Sequence, residues 1–122
     1  MRTIIINLTI VILTLLYSCD DFTYKKDLYN GFYLVEHPSN PGKSIDKEFK
    51  NGEAYLTLLL DVSKVRGNKS LILVMTKTRN NKESFFVLDP KKVDYKEDIR
   101  EVSSLYFDSL YNKIQFDYDY NF

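Results

Sequence analysis

Ser70-Leu71-Ile72-Leu73-Val74-Met75-Thr76, then Arg79-Asn80-Asn81-Lys82, then Glu83-Ser84-Phe85-Phe86-Val87-Leu88, is the stretch whose reading decides the fold. Two apolar runs of strand length flank a polar turn, and Asp89-Pro90 ends the second. β-Branched and aromatic residues suit a pleated, buried surface, and runs this short read as strands. Across a tight turn the simplest arrangement is antiparallel pairing. Working outward, Arg66-Gly67-Asn68-Lys69 reads as a turn, and Ala54-Tyr55-Leu56-Thr57-Leu58-Leu59-Leu60-Asp61-Val62 as the preceding strand. Its nearly unbroken apolar character predicts a central strand buried on both faces, so the three runs make a meander.

Further toward the N-terminus, Gly31 opens the strand Phe32-Tyr33-Leu34-Val35, which the turn-rich His37-Pro38-Ser39-Asn40-Pro41-Gly42 ends. Residues 44–53 are polar apart from Ile45 and Phe49 and read as a loop. Beyond residue 90 the period changes. Ile99, Val102, Tyr106, Leu110 and Ile114 fall on one helical face, with Asp94-Tyr95-Lys96-Glu97 as a capping-box-like start. Ser103 and Ser104 weaken that helix. Residues 114–122 alternate strictly, aromatic against polar, as a half-buried strand does. The expected class is α+β: an antiparallel β-sheet of about five strands, with one helix from the C-terminal half packed on a face.

A length of 122 residues fits one domain. Hydrophobic content of 44% is too high for a wholly disordered chain. Lys+Arg and Asp+Glu are both 17, so no basic excess exists to release phosphate counterions, and nucleic acid is set aside as a partner. The single cysteine, Cys19, can form neither an internal disulfide nor a zinc cluster.

The N-terminus reads as a secretory leader. Arg2 is a minimal basic region, and residues 4–16 are apolar except Asn7, Thr9 and Thr14. As a helix this run spans about 20 Å, short of the ~30 Å hydrocarbon core. Leu16-Tyr17-Ser18-Cys19 resembles the lipobox of bacterial lipoproteins: an aliphatic residue, a small residue before the cysteine, then the cysteine. The resemblance implies cleavage after Ser18, with Leu16 and Ser18 read by the signal peptidase, and diacylglycerol on the Cys19 sulfur. Two or more acyl chains anchor stably where one does not. Asp20-Asp21 resembles both the inner-membrane retention signal of enteric bacteria and the surface-export signal of Bacteroidota. The Lys-, Asn-, Ile- and Tyr-rich composition favours the second, and with it an outer-membrane, surface-exposed position. From Tyr24 to Leu88 the chain also loosely resembles small, uncharacterised bacterial lipoproteins, which brings a compact domain but no activity. The expected organisation is a signal peptide over residues 1–18, lipidated Cys19 and tether over 19–29, and one small α+β domain over 30–122.

No motif singles out chemistry. His37, the only histidine, reads as an exposed loop residue, with Ser39 and Ser44 near it only in sequence. Asp117-x-Asp119-x-Asn121 lacks the glycine and the glutamate that complete a calcium loop, and reads as the wet face of an edge strand. The aromatics of that segment read as core. Gly31, Gly42, Gly52 and Gly67 form no phosphate-binding pattern. Lys25-Lys26 and Lys91-Lys92 read as solvated charges. Asp108-Ser109-Leu110 resembles the O-glycosylation tripeptide of Bacteroidota. The expectation is a non-enzymatic lipoprotein without cofactor or metal. It is held to a membrane through Cys19, and its domain binds a partner at the envelope, either another envelope protein or a toxin that it neutralises, as some small immunity lipoproteins do. The alternative is an assembly accessory of an envelope complex.

Overall fold

The structure, a computed structural model, describes residues 22–49 and 54–122. Leu16, Ser18, Cys19, Asp20 and Asp21, and with them the leader boundary and the lipidation site, lie outside the described residues. The chain forms two antiparallel sheets and one α-helix. The first sheet has strand order β1-β2-β3-β4: β1 Tyr24–Tyr29, β2 Phe32–His37, β3 Asn40–Phe49 and β4 Ala54–Leu59. The second has order β8-β7-β6-β5-β9: β5 Val62–Gly67, β6 Ile72–Lys77, β7 Glu83–Leu88, β8 Arg100–Val102 and β9 Tyr118–Asn121. Helix α1, Ser104–Lys113, lies on the outer side of the second sheet. The α+β class, with a helix on one face of a five-stranded antiparallel sheet, agrees with expectation; the four-stranded sheet is additional.

β6 is the hub. Ile72 and Val74 point into the main core with Phe32, Leu34, Ile45, Leu58 and Val65 from across the sandwich and beside them. Leu73 and Met75 point the other way, to Phe107 of α1 with Phe85, Leu110 and Tyr111 around it. The strand buried on both faces is therefore β6 and not the run from Ala54 to Val62. That run is two strands in different sheets, broken at Leu60-Asp61, where Asp61 adopts φ 56. Aspartate tolerates this left-handed conformation better than most residues, so the corner needs neither glycine nor proline.

Three further expectations are corrected. Residues 44–49, read as loop, belong to β3, the longest strand. Tyr24–Tyr29, read as tether, is β1, joined to β2 through Asn30-Gly31, both at positive φ as a tight hairpin turn requires. The single helix from residue 94 is instead a 3-10 turn (Lys96–Asp98), β8 and α1. Asp98 accepts from the backbone N–H of Asp94 and Tyr95 at 3.1 and 3.0 Å, so the cap seen in the sequence closes only that turn. Ser103 does not weaken a helix but starts one, its hydroxyl accepting from the Tyr106 N–H. Val102 pairs with Phe85 in the sheet, and α1 turns Phe107 inward while Tyr106 stays exposed. No helix among the described residues is long and apolar enough to cross a membrane.

Candidate functional site

The outer face of the first sheet is built by alternation. Tyr33 pairs with Asp46 and Val35 with Ser44 across β2–β3; Asp46 pairs with Thr57 and Glu48 with Tyr55 across β3–β4. Since Phe32, Leu34 and Ile45 occupy the core side, the residues between them lie on the opposite face. That face would be open to solvent, yet Val35, Ser44 and Asp46 on it are buried. A lid of rings covers them. Phe22 packs edge-on against His37 at 4.9 Å and Tyr55 at 5.2 Å, and Tyr33 meets Tyr55 at 6.0 Å. Lys25 reaches over from β1, its Nζ 4.4 Å from the Tyr33 ring centre, 5.2 Å from that of Tyr55 and 5.7 Å from that of Phe22. It also donates to the Tyr55 hydroxyl at 3.1 Å.

Beneath the rings, Asp46 is 1% exposed and both carboxylate oxygens are engaged. Oδ2 lies 2.9 Å from His37 Nε2, and Oδ1 accepts from the Ser44 hydroxyl at 3.2 Å. An ionised Asp46 requires the His37 proton on Nε2. His37 is therefore the half-buried end of β2 and not a free loop histidine. The three side chains of a hydrolase triad are present, but in the wrong order. The carboxylate stands between serine and histidine, so the imidazole does not meet Ser44 Oγ, which is itself buried and donates to Asp46. The Tyr33 hydroxyl donates to Glu48 at 2.8 Å. That hydrogen bond, followed by burial and the charges of Glu48 and Asp27, pushes its pKa up to about 12. The arrangement suits recognition: rigid rings, a central cation, and polar groups already oriented by one another.

The other sequence candidates are scattered. Asp119 is bound to Arg66 at 2.7 Å and to the Tyr111 hydroxyl at 3.0 Å, and its carboxyl is held below the usual range mainly by the Arg66 hydrogen bond. Among the described residues no three His, Cys, Asp or Glu side chains group as metal ligands. Tyr118 and Tyr120 pack on the core as expected, whereas Phe116 and Phe122 are about half exposed. Ser109 is exposed on α1, its hydroxyl donating to Tyr106 O at 2.7 Å. Sequence reading missed Lys25, Tyr33, Tyr55 and Asp46 as site residues. The signal for their meeting was Asn30-Gly31, a two-residue hairpin turn that folds Lys25 back over Val35. Compared with protein-family models, with curated proteins and with solved structures, the chain matches none.

Proposed function

We propose that this chain is a lipid-anchored binding domain of the bacterial cell envelope, held through Cys19, that recognises a protein partner and transforms no substrate. The partner is another envelope protein or a toxin that the chain neutralises, as an immunity protein does. The observation that carries the binding reading is the ring-lined outer face of the first sheet, with Lys25 at its centre. Tyrosines and other rings supply large contact area, and side chains already pinned lose little freedom on association. The anchor reading rests on Leu16-Tyr17-Ser18-Cys19, and the outer-membrane, surface-exposed position on Asp20-Asp21. Phe22 lies three residues beyond Cys19, so at up to ~3.6 Å per residue the lipid would sit within roughly 11 Å of this face.

The test is in two parts. Radiolabelled palmitate should enter the parent protein and not Cys19→Ser; an unlabelled parent overturns the anchor. Native purification in mild detergent should then recover a stoichiometric protein partner, weakened by Tyr55→Ala. A lipidated, folded chain that brings down no partner overturns the binding reading. A partner complex that fails to assemble without this chain would instead identify an assembly accessory.

A further inference from the structure

Four strands form the sheet edges among the described residues: β1 and β4 in the first sheet, β8 and β9 in the second. An open edge invites pairing unless charge, brevity or a bulge discourages it. β1 carries Lys25, Lys26 and Asp27 and bulges at Leu28. β8 is three residues long, with Arg100 and Glu101, and β9 is four residues long, with Asp119. β4 reads Ala54-Tyr55-Leu56-Thr57-Leu58-Leu59, with no charge at all, and its bulge at Leu58 leaves residues 54–57 regular.

The direction of its free groups follows from the register. The Glu48 N–H donates to Gly31 O at 2.8 Å, toward β2. Backbone groups in an antiparallel strand alternate sides residue by residue, so Lys47 and Phe49 face β4 and their partners Leu56 and Ala54 face back. The N–H and C=O of Tyr55 and Thr57 therefore point outward, and no backbone group among the described residues takes them.

Beside this edge lies a pocket of about 490 Å³, walled by residues 57–60 on one side and by Phe86 and Ile99 on the other, with Lys96 also lining it. Successive side chains of a strand point to opposite faces, so Thr57, Leu58 and Leu59 line one pocket together because it runs along the end of the strand's edge, where Leu58 bulges, and Leu60 joins them from the corner that follows. Lys96 is exposed and has no ion-pair partner among the described residues. An unpaired edge, an apolar hole beside it and a lone cation together specify an occupant.

We propose that β4 receives an extended strand from a partner polypeptide, which places an apolar side chain in the pocket and an acidic one on Lys96. This rests on the binding reading above and names the docking edge. A second copy of the chain is the competing occupant, and its β4, Ala54–Leu59, carries no acid within the strand itself.

The probe is a phage-displayed library of random twelve-residue peptides selected on the full chain in mild detergent. Synthetic versions of the enriched peptides are then titrated by fluorescence anisotropy. The enriched peptides should alternate apolar or β-branched with polar residues and carry Asp or Glu. Thr57→Pro removes one outward N–H without touching the β3 ladder, a change edge strands tolerate, and should weaken binding about tenfold or more. Lys96→Glu, on an exposed residue, should weaken it by about fivefold or more and turn selection toward basic peptides. No enrichment, or enriched peptides that bind both variants as they bind the parent, overturns the proposal. So does a dimer of the chain that Thr57→Pro abolishes, since the edge then belongs to a second copy. A native partner retained equally by Thr57→Pro overturns strand addition and leaves the binding reading standing. The absence of any native partner counts against the binding reading, however the peptides behave.

Discussion

Replacing Arg66 by Met should loosen the seat of the helix. Arg66 belongs to β5 and lies opposite Asp119 of β9. Its Nη2 donates to Asp119 at 2.7 Å and its Nη1 to the Tyr111 carbonyl in α1 at 2.9 Å. The guanidinium also stacks 3.8 Å from the Tyr111 ring centre and 4.1 Å from that of Phe116. Hydrogen bonds to charged groups contribute ~1.5–3 kcal/mol each and partly exposed cation–ring contacts ~0.5–1 each. Arg66 and Asp119 keep 17% and 23% of their side chains in contact with water, which replaces part of the loss. Methionine also preserves the apolar stem. The expected cost is about 2–3 kcal/mol. For a domain of this size that moves a urea midpoint by roughly 2 M. The pH dependence has a definite sign. The Asp119 carboxyl is depressed first by its hydrogen bond to Arg66, opposed by burial and aided by Tyr111. Its contribution is therefore full above the unfolded carboxylate pKa, about 4, and is lost as pH falls through the lower folded value. Arg66→Met should flatten that acid limb, and Asp119→Asn should add little to it. A loss below about 0.5 kcal/mol, or additive single variants in a double-mutant cycle, would refute the clamp.

Phe107→Ala empties the contact between α1 and β6 and should cost about 3–4 kcal/mol in urea unfolding, since Phe107 is 2% exposed. Tyr33, raised to about 12, contributes stability that is full below pH 10 and is lost as pH rises through the folded value. Ultraviolet phenolate titration should show Tyr33 ionising late through its bond to Glu48, beside Tyr111 and Tyr118, which burial raises, and Tyr33→Phe should reduce that late group by one. Tyr118→Phe deletes a buried hydroxyl that has no hydrogen-bond partner among the described residues, and thermal unfolding should show a gain of about 1 kcal/mol.

The strand that sequence revealed most plainly, β6, is the one whose burial is nearly uniform. Four consecutive apolar residues, Ile72 to Met75, need two apolar environments, and β6 has both. β3 escaped because its outward side chains, Ser44, Asp46 and Glu48, are polar yet satisfied by one another and by His37 and Tyr33. A carboxylate buried in company looks like a loop residue when read alone. The Leu60-Asp61 corner escaped because continuous hydrophobicity records burial but not direction; the core lies on both sides of the turn. Local charge misled at β1, where Tyr24-Lys25-Lys26-Asp27 is an edge strand whose lysines cover rings. The ring cluster depends on contacts up to about thirty residues apart, and no local pattern encodes them.

The main chain passes between the sheets once among the described residues, at Leu60-Asp61. Each sheet is thus a continuous half of the polypeptide, and no strand of one half is threaded into the other. Chain cut there keeps every hydrogen-bonded ladder intact and loses only the tether between two halves that share one apolar interface. The domain is in effect a covalent heterodimer of its own halves. Apart from the pairing of β5 with β9, its ladders are local in sequence, and docking of the two sheets is the expected slow step of folding. The two fragments, expressed apart, should find one another.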